Sequence, residues 1–356
     1  MTLVDLAITV VKIVLLLFVV LTAVAYLTLA ERRVSAFIQD RIGPNRVGIF
    51  GLLQPLADGL KFIFKEDIIP AKANKLLYLL APALSLVTAL VAFAAIPIGY
   101  GFETTFFGLL EDPKYVSLQI ADLNVALLYI LSITSLGVYG IVLAGWSSNS
   151  KYSLLGSLRS AAQMISYELA LGLSIIGVIA MTGSLRLQDI IESQQNLWFF
   201  IPQFLGFIVF TISSFAETNR LPFDMAEAEP ELVAGFHTEY SSMKFAMFFM
   251  AEYANMIIAS CLIVSLFLGG WYPLPWGGWF DIDIAKYWFL PPLVFVSKVT
   301  AMLFFFIWVR WTLPRFRYDQ VMGLGWKVLF PLALINLIIT SAVIVFSEEG
   351  IKTAFL

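Results

Sequence analysis

Six carboxylates stand close together in one polar stretch of an otherwise apolar chain. Residues 217–244 read ETNRLPFDMAEAEPELVAGFHTEYSSMK and hold Glu217, Asp224, Glu227, Glu229, Glu231 and Glu239 against Arg220 and Lys244. Hydrocarbon runs flank the stretch on both sides. Clustered acids at a bilayer surface repel one another, so their chemistry points to protons, cations or a charged partner. Further ionisable groups lie inside the apolar runs, where burial in lipid costs several kcal/mol. Glu168 sits in MISYELALGLS, with Gly172 one turn on. Glu252 sits in FFMAEYANMIIAS and shares a helical face with Asn255 and Ala259. Glu217 follows Ser213 and Ser214 and precedes Arg220. Asp122, Tyr129, Ser132 and Tyr139 fall near one face of a third run, and Lys298 lies midway along a seventh with no partner on its own helix. Taken singly, each reads as an interhelical pair that locks a bundle. Taken together, Glu168, Glu217 and Glu252 approach one side beside an acidic loop. Carboxylates linked by hydroxyls and water are how a proton path through a bilayer is built.

The elements that must position these groups follow from composition. The 356 residues are 60% hydrophobic and only 13% charged, where soluble domains carry about 25%. Mean hydropathy is +0.87. In hydrocarbon the backbone must satisfy itself, so the chain reads as an all-α polytopic membrane protein, one integral domain over residues 1–356. About eight transmembrane helices are expected, near 4–30, 76–99, 120–145, 160–182, 198–216, 244–268, 288–310 and 327–347, the fifth being the shortest. The first run is too long for a signal-peptide core and ends in Glu31-Arg32-Arg33, so it reads as a span. In 51–66, Leu52, Leu53, Leu56, Leu60, Ile63 and Phe64 oppose Gln54, Asp58, Lys61 and Lys65, the pattern of an interfacial amphipathic helix in the first inner loop. That helix reads as a surface anchor or as a lid over a lateral opening. Loops after odd-numbered spans carry sixteen Lys and Arg, the opposite side four. This bias puts both termini on the outer (periplasmic) side and the acidic loop, 217–244, inside.

Residue counts exclude other chemistry. One cysteine (Cys261) and one histidine (His237) rule out an iron–sulfur site, an intrachain disulfide or a bis-histidine haem. No metal site, glycine-rich dinucleotide motif or P-loop is present, and no basic run suits nucleic acid. His237 reads as a loop residue and Cys261 as packing. Trp271, Tyr272, Trp276 and Trp279 read as an outer interfacial belt, with Asp281 and Asp283 solvated, and Ser347–Leu356 as an exposed tail. In RIGPNRVG (41–48), Gly43, Pro44, Asn45 and Gly48 form turns that leave Arg41 and Arg46 to meet a partner's carboxylates or lipid headgroups.

Four long blocks resemble one family. RIGPNRVGIFGLLQPLADGLKFIFKEDIIP, GWSSNSKYSLLGSLRSAAQMISYELALGLS, FAETNRLPFDMAEAEPELVAGFHTEYSSMKFAMFFMAEYANMI and LPRFRYDQVMGLGWKVLFPLAL are similar to the H-type subunit family of proton-pumping NADH:quinone oxidoreductase (respiratory complex I), whose mitochondrial counterpart is NADH dehydrogenase subunit 1. The resemblance implies a translocase subunit that binds no cofactor itself, has no catalytic residue of its own and serves quinone, with ubiquinone favoured, as substrate of the complex. It implies that spans 1 and 6, the amphipathic helix and the inner loops wall a quinone-access tunnel at the junction with the peripheral arm. By motif match the proton path would use Glu168, Glu217, Asp224, Glu227, Glu229, Glu231 and Glu252, and Arg32, Arg41, Arg46 and Asp58 would lie near the tunnel and arm junction. Expected partners are the peripheral-arm iron–sulfur and quinone-site subunits, the small membrane subunits, the antiporter-like pump subunits and the lipid bilayer. The bacterial inner membrane is the expected location, ahead of the mitochondrial inner membrane, because the chain is longer at its C-terminal end than typical mitochondrial relatives. Three other classes compete. These are the membrane subunit of an energy-converting hydrogenase or formate hydrogenlyase, a free-standing proton-coupled transporter, and a purely structural anchor. The quinone-family blocks disfavour the first. No pair of Gly/Pro-interrupted half-helices supports the second, and the third leaves the buried glutamates without a role.

Overall fold

Backbone amides in hydrocarbon have no solvent partner, and the apolar runs resolve into helices. A computed structural model describes residues 3–104, 114–227, 229–275 and 288–346. Its helices are α1 (Leu3–Ile38), α2 (Gln54–Phe64), α3 (Lys75–Ala92), α4 (Ala126–Ser147), α5 (Lys151–Thr182), α6 (Leu187–Glu192), α7 (Phe204–Glu217), α8 (Glu229–Leu232), α9 (Ser242–Phe267), α10 (Leu290–Thr312), α11 (Tyr318–Leu324) and α12 (Phe330–Phe346). A π turn, Gly325–Leu329, joins α11 to α12, making one apolar rod over Tyr318–Phe346. Among the described residues seven helices are long and apolar enough to cross a membrane, and α7 is an eighth, shorter apolar helix. The fold is all-α and polytopic.

Several boundaries differ from the expected spans, each for a local reason. The second helix stops at Ala92 because Ile96, before Pro97, turns extended. The third starts only at Ala126, so Asp122 lies in the preceding loop and not on its face. Asp122 pairs there with Arg186, which also holds Asp189 at 3.1 Å. The Arg186 bond holds the Asp122 carboxyl below its usual range. The fourth begins at Lys151, well before 160, with small residues on its buried face. Of the apolar segment 198–216 only the part within Phe204–Glu217 is helical, and in the turn before it Phe199 and Gln203 are buried while Ile201 is exposed. The amphipathic helix is Gln54–Phe64, preceded by a tight turn at Ile49–Gly51. A hairpin was not expected: β1 (Phe102–Thr104) pairs antiparallel with β2 (Lys114–Val116), Phe102 opposite Val116. Three-residue strands are too short to leave an alternating pattern in sequence.

Helix α9 is the centre of the bundle. Of its most apolar window 72% is buried, against 11% for α1. Helices α3, α1 and α10 pack on α9, while α5 packs on α4, α7 and α12. Two close approaches need glycine. A Cβ on Gly140 of α4 would lie 3.0 Å from Ser85 N of α3, and one on Gly156 of α5 would lie 2.8 Å from Gly235 Cα in the acidic loop. Gly235 itself has φ 59°. That glycine pair seats the acidic loop directly on α5.

The end of the bundle where α9 finishes is closed by Lys298. Its Nζ donates to Leu268 O (2.5 Å), Gly270 O (3.0 Å) and Tyr272 O (2.5 Å) and lies 3.9 Å from the centre of the Trp198 ring. It thus caps the C-terminal end of α9 from α10, which answers the missing partner on its own helix. Trp271 and Tyr272 do not form an exposed belt. Trp271 is fully buried, and Tyr272 shares a 2.8 Å hydroxyl bond with Tyr100. Left-handed turns at Gly269 and Gly270 fold both rings inward. Trp276, Trp279, Asp281, Asp283 and the tail Ser347–Leu356 lie outside the described residues.

Candidate functional site

The end of the bundle where α1, α7 and α10 finish gathers a buried row of opposite charges. Glu31 reaches it because α1 continues past Ala30 to Ile38, putting Glu31 on the buried stripe of Val20, Val24, Leu27 and Ser35. Arg220 comes from the turn after α7, Glu252 and Tyr253 from α9, and Arg310 from the last turn of α10. Arg220, only 3% exposed, lies with Nη1 3.3 Å from Glu31 Oε2 and Nε 2.7 Å from Glu252 Oε1. Arg310 pairs with the other oxygen of Glu31, and the Tyr253 hydroxyl donates to Glu31 Oε2 at 2.8 Å. The Tyr253 ring lies 4.2 Å under the Arg220 guanidinium.

The row continues into the acidic loop. Arg315 pairs with Asp224, whose Oδ1 accepts from Glu227 N at 3.2 Å. Glu227 Oε1 lies 3.1 Å from His237 Nε2. Burial pushes the Asp224 carboxyl up to about 6, with the nearby Glu227 adding to the shift and Arg315 opposing it. Burial would raise Glu227 as well, but the His237 bond, with Arg220 and Arg315, holds it below the usual carboxylate range. Four carboxylates (Glu31, Glu252, Asp224 and Glu227) therefore meet three guanidiniums and one imidazole. The row is neutral only when His237 is protonated or one acid carries a proton.

Two cavities connect this row to the bundle interior. The larger, about 50 Å³, is lined by Glu217, Glu227, His237, Glu252 and Asn255. The smaller, about 20 Å³, is lined by Thr134, Ser214, Glu217 and Asn255 together with apolar Phe210 and Leu262. One water needs roughly 10–15 Å³ of such space, so the larger holds a few and the smaller about one. Glu217 and Asn255 line both. Asn255 Oδ1 is buried with no protein donor among the described residues, a free acceptor at that wall. Glu217 also meets the Thr134 hydroxyl, and Glu168 meets that of Ser135, so α4 bridges the two glutamates.

The structure thus brings Glu217, Asp224, Glu227 and Glu252 together and sets Glu168 beyond Glu217. Glu231 is not part of the buried row. It is half-exposed and pairs with Arg159 at 2.5 Å. Glu229 opens α8, and its side chain lies outside the described residues. Arg32 pairs with Asp58 at 2.6 Å, joining α1 to α2, while Arg41 and Arg46 stand exposed in their loop. Sequence reasoning missed Glu31, Tyr253, Arg310 and Arg315. Spacing held the signal for Glu31, which falls on the apolar stripe of α1. Arg310 and Arg315 carried none, because only the tertiary fold brings them to Glu31 and Asp224. Among the described residues no three His, Cys, Asp or Glu side chains converge as a metal would require.

A family model described as NADH dehydrogenase matches residues 11–341. The chain is 55% identical over 337 residues to the first H-type subunit of NADH-quinone oxidoreductase from Geobacter metallireducens, covering 94% of this chain and 96% of that protein. It is 52% identical over 359 residues to the H-type subunit of NADH-quinone oxidoreductase from Leptospira biflexa, covering 97% of each. It is 51% identical over 334 residues to NADH-ubiquinone oxidoreductase chain 1 of Chondrus crispus, covering 94% and 96%.

Proposed function

The chain belongs to the NADH dehydrogenase family of membrane subunits that includes the H-type subunit of NADH-quinone oxidoreductase and NADH-ubiquinone oxidoreductase chain 1, and on that premise we propose that it passes the charge of quinone reduction into the bilayer through its buried carboxylates. It is a multi-pass subunit of an oxidoreductase complex. In the proposed role, quinone reaches the peripheral arm along the inner ends of α1 and α9, beside α2. Arg32, Asp58, Arg41 and Arg46 stand at that junction. Reducing quinone to quinol consumes two electrons and two protons. Withdrawing a proton from the Asp224–Glu227–His237 group leaves uncompensated charge, which biases Glu252, then Glu217, then Glu168 in turn. The partners in this reading are peripheral-arm iron–sulfur and quinone-site subunits, small membrane subunits and antiporter-like pump subunits. The membrane is taken as the bacterial inner membrane, and the sixteen-to-four distribution of basic residues supports placing both termini outside.

The observation that carries the reading is the position of Glu217. It lines both cavities, with Glu252 and His237 on one side and Thr134 toward Glu168 on the other. Glu252→Gln keeps the side-chain volume and removes the ionisable group. In the assembled complex this change is expected to lower proton translocation or quinone turnover by an order of magnitude, roughly the effect of a misplaced proton-transfer group. Wild-type pumping and turnover in an assembled Glu252→Gln complex would falsify the role.

A further inference from the structure

Helix α2 contributes no buried residue to the protein. Leu52, Leu53, Leu56, Leu60, Ile63 and Phe64 are all exposed, so the bilayer sets its depth and not its lateral position. That position is fixed by a polar tie at Asp58 in the middle of the helix, by polar ties at and beyond its C-terminal end, and by the Phe62 ring, 6.1 Å from that of Phe245 in α9. The first is Arg32–Asp58, to α1. The rest come from the start of α9, where the acidic loop ends. Ser242 Oγ donates to Phe62 O at 2.9 Å, satisfying one of the last carbonyls of α2. Ser241 Oγ donates to Glu66 O at 3.0 Å and accepts from Ile68 N at 3.3 Å. Lys244, itself buried, lies with Nζ 2.8 Å from Asp67 Oδ1. Ser242 reaches Phe62 from a left-handed backbone, φ 56°, which a non-glycine residue rarely holds without cause.

The same two serines continue the loop that holds His237. Tyr240 N donates to His237 O at 2.9 Å, and the Tyr240 ring stacks on Tyr78 at 4.1 Å, giving a fixed point just before Ser241. His237 is thus linked through Tyr240 to the serines that hold Phe62 and Glu66 and to Lys244, which holds Asp67. We infer that Ser241, Ser242 and Lys244 are positioning residues that make α2 a strap across the inner ends of α1 and α9, its place set by the acidic loop. For function this rests on the quinone reading above, since a strap there controls how a long apolar tail enters from the bilayer.

The test is a double-variant cycle in the assembled complex, read by hydrogen exchange at Lys65–Ile68. Ser242→Gly is the milder change, because glycine keeps the left-handed backbone and deletes only the hydroxyl. Combined with Ser241→Ala it is expected to speed exchange at Lys65–Ile68 roughly tenfold, the worth of one to two lost hydrogen bonds. His237→Ala is expected to change exchange at Lys65–Ile68 in the parent complex and to have no further effect once both serines are changed. Additive effects, or no effect of the serine changes, would overturn the strap. A second readout uses quinones with one headgroup and long or truncated tails. The expected result is a KM several-fold higher for the long tail alone, with kcat unchanged. Equal effects on both tails, or none, would overturn the access role. If the parent complex reduces neither quinone, the quinone reading itself fails, while the exchange cycle still decides the strap.

Discussion

Glu31 receives the guanidiniums of Arg220 and Arg310 and the Tyr253 hydroxyl at once. Removing its charge strands two cations in a buried site, a loss of roughly 3–5 kcal/mol in comparable pairs. Glu31→Gln is expected to lower the amount of assembled subunit and its thermal midpoint, and Glu31→Gln with Arg310→Met to recover part of both. An unchanged midpoint for the single variant would contradict the pairing. Asp224 gives a pH signature. Its folded pKa of about 6 lies above the usual carboxylate value, so its contribution is complete at low pH and is lost as pH rises through about 6. Glu227 is shifted the other way, so its contribution is present above the ordinary range and is lost on acidification. Exchange protection across 224–227 and 231–237, corrected for intrinsic rate, is therefore expected to weaken through about pH 6. Asp224→Asn should flatten that limb and leave the acid limb intact. Persistence of the pH 6 limb in Asp224→Asn would assign it to another group. Asp224 and Glu227 were legible in sequence because carboxylates between apolar runs are rare, whereas Glu31 was passed over although it falls on the apolar stripe of α1. Their cationic partners were not, since Arg310 and Arg315 meet them only across the fold.

At the scale of elements, α7 poses a physical problem. Its 14 residues span about 21 Å, short of a ~30 Å hydrocarbon core. The missing length is the part-buried segment 198–203, whose amides bond mainly to backbone carbonyls, Phe200 N to Phe267 O and Gln203 N to Phe199 O at 2.9 Å each, with two glutamine side chains adding ties. Gln194 Oε1 accepts from Phe199 N and Gly269 N, at 3.2 and 2.9 Å. Gln203 donates to Thr340 and accepts from Asn336, both at 2.8 Å, tying the start of α7 to α12. Irregular backbone at membrane depth is tolerable under such cover. Gln203→Leu strands the Asn336 amide, at roughly 1–3 kcal/mol for an unpaired group, while Thr340 keeps its 2.8 Å bond to Asn336 O. The expected result is a lower thermal midpoint, with partial restoration by adding Asn336→Leu. No loss on Gln203→Leu would mean the amides are incidental. The run 198–216 was recognisable as apolar, but Pro202 was the only local sign that its first residues are not helix. Pro97 was a similar sign, but the expected span ran past it to 99. The hairpin at Phe102–Val116 was not, because three-residue strands carry no period.

For the whole molecule, the basic residues predict a topology that labelling checks directly. The native cysteine, Cys261, is buried in α9, so single introduced cysteines report cleanly. A membrane-impermeant thiol reagent is expected to reach Tyr115→Cys from outside intact cells and Lys72→Cys only in inverted vesicles. The reverse pattern would invert the assignment of sides. The central place of α9 makes one further feature consequential. Glu217 touches two small cavities and belongs wholly to neither. In the proposed role it need not sit in an unbroken water wire. Rotation about its own side-chain torsions exchanges a proton between compartments, as a turnstile admits one passenger per swing. Throughput is then governed by the reach of one side chain rather than by how well the cavities are filled. Shortening that reach by a single methylene, as in Glu217→Asp, would leave a group that still ionises yet serves one compartment only. That change separates carrying a proton from delivering it.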